Sequence, residues 1–235
     1  MYLSVVMPSY NEESNIEAVI NEHVGVLRSL EDEISKWEIV CLDDASTDRT
    51  AEILDAISGR NTNIRVIRHE RNMGIFASFT NVQNAGEGTH IYSTASDGQW
   101  PASNIVGMLD AMKNHNADLV VAVRTNRKQV YGPWRLLVST GFNLLPRILF
   151  GINTEDAGGV KLGRREVFRF NLISRSPFGE AERIIRARRE GLRVIYYPIE
   201  FTPRLAGKMS GAKLSYIVGS LRDCFRCVVA YGLGR

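Results

Sequence analysis

Leu3-Ser4-Val5-Val6-Met7-Pro8-Ser9-Tyr10-Asn11-Glu12-Glu13-Ser14 decides the fold: a β-branched run stops at a proline and a polar turn, and an amphipathic window over residues 14–30 follows. Proline sits at strand ends and not in central strands, while Asn11-Glu12-Glu13-Ser14 carries the side-chain acceptors that open helices. The alternation recurs at residues 37–42 then 48–57, where Ser46-Thr47-Asp48 supplies a cap, and at residues 64–67 then 74–85. Two more strands, 89–94 and 118–123, enclose a helix over 103–112. This βαβ rhythm predicts an α/β fold of Rossmann-like type, with a mostly parallel central sheet flanked by helices and right-handed crossovers.

The second half is less regular. It holds a helical window over 134–150, a loop through 156–159, a helix over 179–190, a strand over 192–197 and a second amphipathic window over 214–233. Pro146 is expected to kink the 134–150 helix or end it early.

A chain of 235 residues that is 44% hydrophobic can bury one core, and no linker or low-complexity stretch divides it, so residues 1–235 read as a single domain. No run of about 18 uncharged apolar residues is present and the start lacks a signal-peptide pattern, so a cytoplasmic location is expected. Cys41, Cys224 and Cys227 make no disulfide framework, and Cys224-Phe225-Arg226-Cys227 reads as two small buried residues on a helix. His23, His69, His90 and His115 have no metal-ligand spacing. The net charge is +3, but residues 119–154 hold no acidic residue while containing Arg124, Arg127, Lys128, Arg135 and Arg147. Such a stretch is either a solvated face or a place where phosphate or anionic lipid is met.

Two acidic segments lie where strands end. Asp43-Asp44 stands at the carboxyl end of the second strand, where ligands of open α/β sheets bind. There it either caps the next helix or accepts hydrogen bonds from a base or ribose. Ser96-Asp97-Gly98-Gln99 offers a carboxylate and an amide oxygen two residues apart. It reads as a plain β-turn or as oxygen ligands for Mg²⁺ or Mn²⁺, which fill their remaining positions with water and substrate phosphates. On the 134–150 helix, Arg135, Ser139, Asn143 and Arg147 form one polar stripe along an apolar cylinder. That pattern suits a core helix with one wet edge, or a helix lying on a bilayer surface.

Taken in order, Val5-Val-Met-Pro8-Ser-Tyr10-Asn11-Glu12-Glu13, Asp43-Asp44-Ala-Ser-Thr-Asp48, Arg71-Asn72-Met-Gly74 and Ser96-Asp97-Gly98-Gln99 resemble the family 2 glycosyltransferases of the GT-A fold. Val121-Ala-Val-Arg124, Asp156-Ala-Gly-Gly-Val-Lys-Leu162, Arg164-Arg165-Glu166, the Glu180 to Gly191 segment, Pro198 and Arg204-Leu-Ala-Gly-Lys208 extend the resemblance over nearly the whole chain. It is similar to the subgroup that includes dolichol-phosphate mannose synthases and bacterial undecaprenyl-phosphate sugar transferases. The resemblance implies a nucleotide-sugar-binding half, 1–123, and an acceptor-binding half, 124–235, with interfacial helices at 134–150 and 214–233. Pro8, Tyr10, Glu12 and Asp44 would line the donor nucleotide, which is a UDP- or GDP-sugar. Asp97 with Gln99 would hold Mg²⁺ or Mn²⁺, and Arg124, Arg135 and Ser139 would receive the acceptor phosphate. One position departs from the family's Asp-x-Asp: Ala95 stands where the first carboxylate is usual.

The expected reaction is inverting transfer of a sugar from the nucleotide to an acceptor, a polyprenyl phosphate, by a peripheral membrane enzyme that binds no nucleic acid. Arg204 or Lys208 would stabilise the departing diphosphate. An ionised lipid phosphate needs no strong base, whereas a soluble sugar or natural-product hydroxyl does, with Asp156 or Glu155 as the candidate. The rival outside catalysis is a nucleotide-sugar-binding module that has lost transfer. A nucleotidyltransferase is disfavoured, because Pro8-Ser-Tyr-Asn-Glu12 occupies the place of its Gly-rich phosphate loop.

Overall fold

The computed structural model of the chain describes residues 1–200, 202 and 214–233. The elements run β1 (Tyr2–Ser9), α1 (Ile16–Ser29), β2 (Lys36–Asp43), α2 (Thr50–Ser58), β3 (Ile64–Arg68), α3 (Ile75–Ala85), β4 (His90–Ser93) and α4 (Asn104–Asn114). They continue as β5 (Leu119–Arg124), α5 (Arg127–Val130), α6 (Pro133–Phe150), β6 (Lys161–Arg164), α7 (Arg165–Phe168), α8 (Gly179–Arg189), β7 (Val194–Ile199) and α9 (Leu214–Tyr231).

One seven-stranded sheet, in the order β3-β2-β1-β4-β6-β5-β7, takes strands from both halves of the chain. The β1–β2, β2–β3, β1–β4 and β5–β7 pairs are parallel, and only β6 runs antiparallel, between β4 and β5. Both faces are covered. Leu3, Val5, Met7, Ile39 and Cys41 pack on one side with Ile16 and Ile20 of α1 and Ile105 and Met108 of α4. Val6, Val40, Leu42 and Ile91 pack on the other with Val82 of α3, Ile184 of α8 and Cys224 and Cys227 of α9. A strand buried on both faces must be apolar throughout, which explains the unbroken runs in β1 and β2. Each such aliphatic side chain contributes roughly 1.5–3 kcal/mol by leaving water.

β6 is the strand that the sequence did not announce. Lys-Leu-Gly-Arg has no β-branched residue and no apolar alternation, and pairing on both sides overrides that poor propensity. Gly163 permits the pairing, because a Cβ there would lie 2.8 Å from Leu119 Cδ1 and 2.9 Å from the Asp118 carbonyl oxygen. Pro146 neither ends α6 nor stops it early: the helix passes through it to Phe150, and Gly151 closes it in the left-handed region at φ 66°. Packing of Phe142, Leu145, Leu149 and Phe150 against the second core layer offsets the backbone bond that proline cannot make. β7 begins two residues later than the sequence suggested, since Gly191, at φ 78°, and the Leu192 N–H, bonded to the Ala187 carbonyl at 2.9 Å, still belong to the end of α8.

α9 is pinned by two fully buried carboxylates. Glu182 of α8 accepts from the Ile173 and Ser174 N–H groups, both at 2.8 Å, and from the Tyr231 hydroxyl at 2.6 Å. Asp223 of α9 accepts from the Arg175 N–H at 2.8 Å. With its inner face so held, α9 turns Leu214, Val218, Leu221, Phe225 and Val229 outward, each more than half exposed. α6 likewise exposes Trp134, Leu137 and Ile148. Among the described residues no helix is long and apolar enough to cross a membrane.

At the other end of the sheet, Glu38 accepts from Ser4 Oγ at 2.5 Å, the Glu87 N–H at 2.7 Å and Arg65 at 3.3 Å. Burial opposes its ionisation, but these partners outweigh that and hold its carboxyl below the usual carboxylate value. A depressed carboxylate contributes stability that is complete above its unfolded value and lost as pH falls through the folded one. Glu38→Gln is therefore expected to flatten the decline of the urea midpoint with acidification below the ordinary carboxylate range. An unaltered slope in acid would remove Glu38 as a source of that decline.

Candidate active site

The carboxyl ends of β1, β2 and β4 open on a cleft of about 700 Å³. Pro8, Tyr10, Glu12, Asp44, Asp97, Gln99, Arg124 and Arg135 all line it, so eight of the residues singled out from sequence converge. Ser139 and Asp156 do not line it, and Arg204 and Lys208 lie outside the described residues.

The end of the cleft at β1 and β2 is built from two turns that lock each other. Asn11 and Ala45 both adopt left-handed backbone, at φ 54° and 57°. The Asn11 N–H donates to Ser46 Oγ at 3.0 Å, and Asn11 Oδ1 accepts from the Thr47 N–H at 2.8 Å. The two adjacent aspartates divide their tasks. Asp43 braces the turn through the Ser46 N–H at 3.1 Å, while the helix cap falls to Asp48, which accepts from the Thr50 N–H at 2.9 Å. Asp44 faces the cleft and gathers the Arg71 to Gly74 loop, accepting from the Met73 N–H at 2.7 Å, the Gly74 N–H at 2.9 Å and His69 Nδ1 at 2.6 Å. Glu12 accepts from Asn15 Nδ2 at 2.6 Å, so Asn15 ties the start of α1 to the site and makes no side-chain cap.

Gly98, at φ 73°, makes the turn after β4 that only glycine adopts without strain, and Asp97 Oδ1 accepts from the Gln99 N–H at 3.1 Å. Thr202 straps this loop from the far side, donating its N–H to the Gln99 carbonyl at 3.1 Å and its hydroxyl to the Gly98 carbonyl at 3.1 Å. The oxygen ligands on offer are the Asp97 carboxylate and the Gln99 amide. Among the described residues no group of three His, Cys, Asp or Glu side chains could hold an ion by itself, and residues 203–213 contain none of these types. The donor set thus fits a hard divalent cation that brings phosphate oxygens and water with it.

Arg124 lines the same cleft, beside Trp100. Asp156, fully buried, takes Arg124 Nε at 2.6 Å, the Arg124 N–H at 3.1 Å and Nη2 in a close ion pair. Burial would lower the arginine's pKa, but hydrogen bonds and charge from Asp156 outweigh this and raise it. The guanidinium lies 5.2 Å from the Trp100 ring centroid and 5.4 Å from that of Tyr131, and Arg135 stacks on Tyr131 at 4.1 Å. Two cations therefore stand against aromatic rings in the cleft, an arrangement that favours a bound anion beside them. Asp156, with both oxygens occupied, is placed to orient Arg124.

Residues 4–171 match the glycosyl transferase family 2 model. The chain belongs to glycosyltransferase family 2. A dolichyl-phosphate β-glucosyltransferase of Trichomonas vaginalis is 28% identical, over 99% of this chain and 75% of the relative. An undecaprenyl-phosphate mannosyltransferase of Micrococcus luteus is 26% identical, over 90% of this chain and 88% of the relative. Among solved structures, glucosyl-3-phosphoglycerate synthase from Mycobacterium tuberculosis, in complex with Mn²⁺, UDP and phosphoglyceric acid, superposes with a TM-score of 0.70 at 18% identity, over 100% of this chain and 79% of that one. A mannosyltransferase from Pyrobaculum calidifontis in complex with GDP-Man and Mn²⁺ gives 0.61 at 15% identity, over 99% of this chain and 65% of that one. At such identities the likeness establishes the fold, which is GT-A.

Trp100, Lys161, Glu180 and Tyr216 also line the cleft and were not singled out as site residues. Lys161 and Glu180 lie inside motif segments, but nothing in their spacing distinguishes a buried charge from a solvated one. Removing one member of a buried ion pair strands the other, so Asp156→Ala should lower the unfolding free energy by about 3–5 kcal/mol, measured by urea titration. Glu155→Gln, on the half-exposed neighbour, is expected to leave it unchanged.

Proposed function

We propose that this glycosyltransferase moves a sugar, with inversion, from a nucleotide diphosphate donor to a polyprenyl phosphate. The observation that carries the reading is the commitment of Asp156 to Arg124. A hydroxyl acceptor needs a free base, whereas a phosphate oxygen is already ionised near neutral pH and needs cations to hold it, which Arg124 and Arg135 supply. One phosphate oxygen forms the bond to the anomeric carbon as the bond to the donor diphosphate breaks on the opposite face. Pro8, Tyr10, Glu12 and Asp44 bind the nucleotide end, and Arg204 or Lys208 meets the departing diphosphate. Asp97 and Gln99 would hold Mg²⁺ or Mn²⁺, which when bound neutralises charge on the leaving group. Asp156 acts as a positioning residue through Arg124, and Ser139 lies one turn beyond Arg135 on α6.

Support for the acceptor class comes from the relatives that act on dolichyl and undecaprenyl phosphates, and from the outer faces of α6 and α9. Arg135 and Arg147 border the exposed apolar stripe on the first helix, and Arg222 and Arg226 that on the second, which suits a peripheral stance on an anionic bilayer. Leu137→Asp and Phe225→Asp should each reduce sedimentation with anionic vesicles while leaving the melting temperature unchanged. Equal sedimentation of both variants and the native chain would remove these faces from membrane contact.

The decisive assay supplies UDP-, GDP- and dTDP-sugars with polyprenyl phosphate and Mn²⁺, and counts sugar carried into the organic phase. Organic-phase product that Asp97→Ala abolishes supports the proposal. Transfer only to soluble hydroxyl acceptors would overturn the acceptor class, and donor binding without any transfer would leave a binding module. The missing carboxylate at Ala95 yields a separate expectation. Mn²⁺ alone should not shift the melting temperature of the native chain, but should raise it in Ala95→Asp, where two carboxylates face the ion.

A further inference from the structure

The two oxygens of Asp44 are unequally committed. A carboxylate offers about four lone-pair sites, shared evenly between its oxygens. Oδ1 accepts from His69 Nδ1 at 2.6 Å and from the Met73 N–H at 2.7 Å, so its capacity is filled. Oδ2 accepts from the Gly74 N–H at 2.9 Å and keeps a site open. The Met73 and Gly74 donors are backbone groups, whereas His69 is a side-chain choice that has no part in the scheme above. It directly follows β3, and its N–H bonds to the Asp43 carbonyl at 3.0 Å, so the sheet places it. From α3, Asn81 Nδ2 lies 2.8 Å from His69 Nε2. An amide donor there makes Nε2 the acceptor and leaves the ring proton on Nδ1, toward Asp44. The imidazole is thus held from both sides, with its side chain 13% exposed.

Asp44 lines the cleft and, at 3% exposure, shows it no more than an edge. Nucleotide bases differ in what they offer such an acceptor. Guanine presents two adjacent donors, its ring N1–H and its 2-amino group, which a carboxylate meets with one oxygen each, so both oxygens must have a site open. Uracil and thymine present a single ring N3–H between two carbonyls. Cytosine and adenine present an amino group and no ring N–H. Asn72, which gives one amide hydrogen to the Asp44 carbonyl at 3.3 Å, also lines the cleft and has a second hydrogen to offer a base carbonyl. We propose that Asp44 accepts the N3–H of a uracil or thymine ring, and that His69, by filling Oδ1, excludes the paired donors of guanine. The donor is then a uridine or thymidine diphosphate sugar, and His69 is a positioning residue that sets base choice through Asp44. The proposal rests on the reading of the cleft as a nucleotide-sugar site and narrows the class of donor.

The test is calorimetric binding of UDP, dTDP, GDP, ADP and CDP, each with Mn²⁺, to the native chain, His69→Phe and His69→Gln. The metal and the diphosphate are common to the panel, so ratios of affinity report the base. The native chain is expected to bind UDP or dTDP at least about tenfold more tightly than GDP, the size of one hydrogen bond to a charged group. The difference between UDP and dTDP tells the two pyrimidine donors apart. The preference over GDP should shrink in His69→Phe, which keeps a ring but frees Oδ1, and persist in His69→Gln, which keeps a donor. The native comparison needs no variant, so the proposal stays testable should His69→Phe fail to fold. Native affinity for GDP, ADP or CDP equal to or above that for both UDP and dTDP would overturn the proposal while leaving the donor site standing. So would a folded His69→Phe in which UDP and GDP weaken by the same factor, as a merely structural role requires. A native chain that binds no nucleoside diphosphate would instead remove the donor reading, and this inference with it.

Discussion

Burial of the sheet on both faces leaves little room for polar chemistry along its strands, so the polar side chains that β1, β2, β4 and β5 give the cleft gather at or just beyond the strand ends. β1 and β2 pair in parallel over eight residues, from Tyr2 opposite Lys36 to Ser9 opposite Asp43, and both then break within a residue or two of each other. The turns after both strands lead to helices on the same face of the sheet, α1 and α2, while α3 covers the other face, and ligands of α/β sheets lie at these carboxyl ends. The left-handed residues Asn11 and Ala45 are the backbone cost of those turns, offset by the hydrogen bonds that each turn offers the other.

The second half of the molecule is organised around charge rather than around apolar runs. Arg124 with Asp156, Lys161 with Glu180, and the carboxylates Glu182 and Asp223 all lie in places that water barely reaches; the first two are pairs of opposite charge, and Glu182 and Asp223 accept backbone N–H groups. A buried pair of this sort adds little net stability over an apolar equivalent, but it is costly to break and tolerates only one geometry. In this chain the geometry joins β5 to the turn before β6, that turn to α8, and α8 to α9. The wall of the cleft and the two helices with exposed apolar stripes are thus parts of one connected framework.

That framework brings unlike charges to one cleft: Asp97 and Gln99 follow β4, while Arg124 stands over Trp100 and Arg135 over Tyr131. With Ala95 beside it, the Asp97 loop offers one carboxylate and one amide oxygen, a donor set that suits a hard cation only when other oxygens complete its shell.

Periodicity and turn chemistry, which are local, determined the first half: the strand runs of β1 and β2, the cap at Asp48, and the placing of Asp44 and Asp97 at strand ends follow from residues close in sequence. The ordered motifs carried the family in the same way. Tertiary structure alone decided that Asp156 turns inward to Arg124, that Lys-Leu-Gly-Arg becomes a central strand, and that α6 runs through Pro146. Each of these depends on partners far along the chain, such as Arg124 for Asp156, β4 and β5 for β6, and the core layer for α6. The pairing energy that settles them exceeds any local preference, and for that reason no local pattern could announce it.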